Sequence, residues 1–274
     1  KTINASDTND STITVSGTGT IENISGSDTK DIIKISGTGS TITNLNAGAS
    51  GTDITFSGNA TVANLNVSKS GSEINITNTD TTTGATITKL NTTGEGKHTI
   101  TVDNKVTIAG FEAGNGDDSI TVKSGGTISA TSLNFSGGTN TLDLQSGASI
   151  VNLETIQMGN GTNTINIKDG ATASKLKTIN LGNGTNTLEL GVSGDTSNGI
   201  TVTGGSGTDT IKVSGTNGKI KTLVAGANET NINLENNGSI TTINANDASG
   251  STISVSGSGT INEIVGKNKA DNIT

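Results

Sequence analysis

Gly-Asn-Gly-Thr-Asn-Thr-Ile-Asn-Ile at 159–167 and Gly-Asn-Gly-Thr-Asn-Thr-Leu-Glu-Leu at 182–190 are two turns of one repeat, set 23 residues apart. Weaker copies fill the rest of the 274-residue chain. Taking the first inward aliphatic of each copy as its anchor gives Ile3, Ile24, Leu45, Leu65, Leu90, Phe111, Leu133, Ile156, Ile179, Ile200, Leu223, Ile243 and Ile264, with a mean spacing just under 22. About ten residues after each anchor comes an aliphatic doublet such as Ile13/Val15, Ile54/Phe56, Ile74/Ile76, Ile165/Ile167 or Leu188/Leu190. Alternating apolar pairs between Gly/Asn/Ser turns predict short strands with the doublet facing in and its neighbours facing water. A fixed period of this length predicts that the strands stack coil upon coil. The expected fold is an all-β, single-stranded parallel β-helix (a β-solenoid) of about twelve coils of about 22 residues, forming one domain over 1–274.

Composition narrows the function. The chain is 28% hydrophobic and 1% aromatic, has 39 glycines, and lacks proline, cysteine, tryptophan, tyrosine and arginine. Aliphatic residues arrive one or two at a time, which suits a narrow column with Phe56, Phe111 and Phe135 as its large fillers. A net charge of −8 without arginine argues against nucleic acid, which needs a basic footprint. No stretch is long and apolar enough to predict a transmembrane helix. The longest coil, from Leu65 to Leu90, carries its surplus as a Thr-rich loop at 78–84, and a Gly/Ser/Asp loop stands at 191–199. Neither end reads as a cap, so the chain is expected to be a segment of a longer protein or a subunit that stacks.

A catalytic reading fares poorly. β-Helix enzymes that cleave polysaccharides need clustered carboxylates, a basic residue and aromatic platforms. Here the lone histidine, His98, falls on the turn before Ile100 and is expected to be exposed, so no enzyme is predicted. Ice binding is tested by the threonine column Thr141, Thr164, Thr187, Thr210. It fails on the neighbouring column, expected to hold Thr14, Lys34, Thr55, Asn75, Asp143, Glu189 and Lys212, because charges there disrupt an ordered water lattice.

The turn before the second strand carries the remaining chemistry. Gly204-Gly205-Ser206-Gly207-Thr208-Asp209-Thr210-Ile211-Lys212 resembles the calcium-binding nonapeptide of RTX proteins, Gly-Gly-x-Gly-x-Asp-x-apolar-x. The segment Ala113-Gly114-Asn115-Gly116-Asp117-Asp118-Ser119-Ile120-Thr121 resembles it except at its first position. The resemblance implies Ca2+ held by Asp117, Asp118, Asp209, Asn115, Gly205 and Gly207. A solvated turn is the open alternative for the aspartates. Asn140, Asn163 and Asn186 replace the aspartate in the intervening copies, and stacked asparagines are expected to form a structural amide ladder instead. With the Thr/Ser/Gly/Asn-rich, cysteine-free, acidic composition and the Ala270-Asp271-Asn272-Ile273-Thr274 echo, the chain resembles the S-layer proteins of Campylobacter-type and Caulobacter-type bacteria. That resemblance implies an RTX-like repeat protein secreted to the bacterial cell surface, calcium dependence, and self-association in a lattice or with the rest of a longer chain. Cell-surface polysaccharide is a further expected partner. The alternative is the stalk or passenger of a large adhesin or autotransporter.

Overall fold

The computed structural model describes residues 1–5, 9–48, 51–67, 71–195, 197–245, 252–266 and 272–274, and every helix or strand among them is a strand. The fold is a parallel β-solenoid of about twelve turns, with successive strands about 21 residues apart. Two compact units make it up, Lys1–Ala130 with Gly147–Ser149, and Thr131–Ser146 with Ile150–Thr274.

In the first unit, Ser11–Val15, Asp31–Ile35, Thr52–Phe56, Ser72–Asn78, His98–Val102 and Asp118–Val122 pair in parallel, each with the strand of the next coil. A second ladder runs through Thr2–Asn4, Thr20–Ser25, Thr41–Asn46, Thr61–Asn66 and Ala85–Thr92. Both Val106–Ile108 and Phe111–Ala113 then pair with Ala85–Thr92 in one register, with Ala109 and Gly110 between them. In the second unit, Thr141–Leu144, Thr164–Ile167, Asn186–Leu190, Asp209–Val213, Glu229–Leu234, Thr252–Gly257 and Asn272–Ile273 form one ladder. Ser132–Asn134, Thr155–Gln157, Thr178–Asn180, Thr201–Thr203, Lys219–Val224, Ser239–Ala245 and Thr260–Gly266 form the other.

The aliphatic doublets line the interior. Ile33, Ile54, Ile74, Ile165, Leu188 and Ile211 are completely buried, and the residues between them along each strand face outward. Outside, the threonines Thr141, Thr164, Thr187 and Thr210 do stand in one column. Beside it Glu189 links Lys168, at 2.5 Å, and Lys212, at 3.6 Å, and Lys212 goes on to Glu235 at 3.1 Å.

Several expectations of register are corrected. Ile54 pairs with Ile76, not Ile74, and Asn75 lies beside Asp53 rather than Thr55. Ile232 pairs with Val255, not Ile253. Val202, not Ile200, is the register partner of Ile179 and Leu223. Each difference is two residues, and a two-residue slip leaves every side chain on its own face, so apolar alternation does not forbid it. Phe111 is only half-buried, unlike Phe56 and Phe135. Ala270 and Asp271 of the C-terminal echo lie outside the described residues, while Asn272–Ile273 forms a strand.

Candidate functional site

In the first-named ladder of each unit, an inward residue stands two positions before the doublet, at or just before the start of the strand. Alternation puts it in the core, and the turn chemistry makes it polar. In the first unit this position holds Asp31, Thr52, Ser72, His98 and Asp118; in the second it holds Asn140, Asn163, Asn186, Asp209 and Thr230, all of them buried. A buried polar column needs partners at every rung, or each rung costs on the order of 1–3 kcal/mol.

The second unit supplies them through stacked amides. Asn140 Nδ2 donates to Asn163 Oδ1 at 3.2 Å, Asn163 Nδ2 to Asn186 Oδ1 at 3.0 Å, and Asn186 Nδ2 to Asp209 Oδ1 at 2.9 Å. Each asparagine also turns its amide back on its own turn. Asn163 Nδ2 reaches Gly159 O at 2.9 Å, and Asn186 Nδ2 reaches Gly182 O at 3.2 Å and Gly184 O at 3.1 Å. The glycines let these turns stack at backbone distance. A Cβ on Gly161 would lie 2.0 Å from Gly138 O, and one on Gly184 would lie 2.1 Å from Gly161 O; both residues hold a positive φ.

In the first unit Asp31 and Asp118 find partners of another kind, while Thr52 Oγ1 has none. Asp31 accepts from Ser27 N and from Ser27 Oγ, each at 2.8 Å. The Asp118 carboxylate accepts from Thr92 Oγ1 at 3.0 Å and meets His98 Nδ1 at 2.9 Å. His98 is therefore a core residue, which corrects its expected place on an exposed turn: lying two positions before Ile100, it shares that residue's inward face. Ser72, His98 and Asp118 stand in register in consecutive coils, the order of a catalytic triad. The arrangement is not that of a working triad, because His98 Nε2 makes no hydrogen bond, Ser72 Oγ donates to Gly48 O, and all three are shut off from solvent.

The residues implicated in calcium binding by resemblance fall into different roles. Asn115 and Asp117 are exposed, Asp118 bonds to His98 and Thr92, and Gly205 and Gly207 are half-buried where a Cβ would lie 1.9 Å from Gly182 O and 1.9 Å from Gly184 O, respectively. Asp209 is completely buried; Oδ1 accepts from Asn186, and no hydrogen bond of acceptable geometry reaches Oδ2. Burial pushes its carboxyl above the ordinary carboxylate range, against the opposing pull of the Asn186 amide and the Gly205 N–H. Calcium takes six to eight oxygens, several of them carboxylates. Among the described residues no group of three or more His, Cys, Asp or Glu could hold a metal. At the 204–209 turn Asp209 supplies a single carboxyl, and Gly205 O already accepts from Ala227 N at 2.9 Å, a poorer oxygen set than the several carboxylates the ion takes.

The signal for the whole column was present in the sequence as the position two before each doublet. Read that way, Asp118 separates from its neighbour Asp117, and Asp31, Ser72 and His98 join the asparagines. Comparison of the chain with family models, with curated proteins and with solved structures finds no match. Fold and column together define a repeat protein of the parallel β-helix class, stitched internally by polar side chains.

Proposed function

We propose that the chain is a structural, non-catalytic β-solenoid module of a bacterial surface-layer protein, standing outside the cell and contributing stiffness and lateral contacts to a lattice. The observation that carries this reading is the polar column itself. The one histidine and the aspartates and asparagines of this column are turned into the core, where His98–Asp118 and Asn186–Asp209 join coil to coil. Hollows of about 250 and 330 Å3 do open at the 191–199 loop. Their lining is mostly small residues, and the Ser197 and Asn198 N–H groups bond to Asp195 and hold its carboxyl below the usual range, which suits an ionised surface turn rather than a general acid.

Electron microscopy of cell envelopes and of the purified chain tests the proposal. Ordered two-dimensional arrays containing this chain are expected. Molecules that stay separate and bind cell-surface polysaccharide would replace the lattice reading with that of an adhesin stalk.

A further inference from the structure

The rungs below Asp209 show what its place requires. At Asn186 the Oδ1 accepts from the rung before, while Nδ2 donates to the carbonyls two and four residues back and to the next rung. Asp209 keeps the first half of the pattern, since its Oδ1 accepts from Asn186 Nδ2 at 2.9 Å. Its Oδ2 thus stands where the asparagines carry an N–H donor. The atom is buried and without a hydrogen bond of acceptable geometry. A Cβ on Gly204 would lie 2.4 Å from it and one on Gly226 3.2 Å, so the glycine turns close around it. Across the register Asp209 faces Thr230, whose Oγ1 is also buried and without a partner.

We propose that Asp209 binds a proton and not a calcium ion, so that a neutral carboxylic acid serves as the last rung of the amide ladder, donating from Oδ2. Its acceptors are the carbonyls of Gly205 and Gly207, by the pattern of the lower rungs, or Thr230 Oγ1. Ionised, the carboxyl would have only the Asn186 amide and the Gly205 N–H to offset its charge in a completely buried place. The charged groups of the packed elements do not offset this. Lys212 on the same strand and Glu189 and Glu235 on the adjoining coils join one another on the outer face, and Glu229, Lys219 and Lys221 are exposed. The raised carboxyl described above has the direction that this geometry demands.

The sign follows from linkage. A carboxyl that holds its proton more tightly folded than unfolded stabilises fully below the unfolded carboxylate range, and that contribution is lost as pH rises through the folded value. Asp209→Asn supplies the donor permanently. Melting curves of the chain and of D209N from pH 3.5 to 8 should coincide at the acid end and separate as pH rises. D209N should melt higher at neutral pH by on the order of 2–4 °C. The exposed control Asp117→Asn, with the same charge change, should show no such divergence. Calcium at millimolar concentration should leave the melt of the unmutated chain equal to that in chelator. A D209N curve that tracks wild type at every pH would overturn the proposal, as would a calcium-induced rise that D209N abolishes. The calcium arm needs no variant, and neither arm depends on a surface lattice.

Discussion

Asn160 and Asn163 sit in one turn, three residues apart, and differ in where they point. Asn163 is almost completely buried, whereas Asn160 is exposed. Replacing Asn163 by alanine removes the donor to Gly159 O and to Asn186 Oδ1, and the acceptor that Asn140 Nδ2 uses. Asn140 Nδ2 keeps Gly137 O as a second acceptor, but the Asn140 backbone N–H loses Asn163 Oδ1, and Asn186 Oδ1 and the half-buried Gly159 O each lose a donor. At roughly 1–3 kcal/mol for each of these three groups, toward the low end where water can reach, the expected loss is about 3–5 kcal/mol. That is a large share of the roughly 5–15 kcal/mol that keeps an ordinary domain folded. Asn160→Ala gives up only an exposed bond from Asn183 Nδ2 and should stay within about 0.5 kcal/mol of wild type. Urea unfolding followed by circular dichroism measures the global effect. Because stacked repeats open locally, amide hydrogen exchange at Ile165 and Leu188 should show it first. Equal stability of the two variants, or an Asn163→Ala protein indistinguishable from wild type, would refute the claim that the amide column holds the coils together.

Ile165→Asp places an unpaired charge in the fully buried aliphatic column and should cost more than about 4 kcal/mol, abolishing a cooperative melt; an unchanged melt would mean that the other face is inward. Gly161→Ala sets a Cβ against Gly138 O at a φ of 140°, and should destabilise by about 1–3 kcal/mol, read from the urea midpoint. The Lys168 hydrogen bond to Glu189 holds its carboxyl below the ordinary range, so its contribution is present above the unfolded value and lost as pH falls through the folded one. Glu189→Gln should therefore flatten the acid limb of a stability–pH curve while costing less than about 1 kcal/mol at neutral pH.

The alternation of Ile-x-Val pairs made the parallel solenoid legible, because inward and outward faces follow from parity alone. The amide ladder of Asn140, Asn163 and Asn186 was legible for the same reason that the glycines around it are: both recur at one spacing. What the sequence did not disclose was the depth of single residues. Asp117 and Asp118 are chemically alike, and only their parity relative to Ile120 sends one out and the other in. His98 read as a turn residue because its neighbours Gly96 and Lys97 are turn-like, yet its strand begins at His98 itself. Register was the least legible property, since Ile54 can meet Ile74 or Ile76 with equal burial.

That ambiguity exposes a second task of the polar column. A tower of aliphatic residues alone tolerates a slide of two residues, for isoleucine then meets isoleucine again. A rung that hydrogen-bonds the next rung does not, because sliding would set an amide or carboxylate against an aliphatic side chain and strand it. Both slips follow threonine rungs that lack such a link, although Asp31 with Thr52 and Asp209 with Thr230 stay in step without one. Thr52 lies in register with Ile74, and Thr230 with Ile253, and both threonine Oγ1 atoms are buried without a partner. Where the rungs bond one another, from His98 to Asp118 and from Asn163 through Asn186 to Asp209, the doublets meet in step. Burial of aliphatic residues thus supplies the cohesion of each coil, and a polar rung that bonds the next one opposes a slide between the two coils it joins.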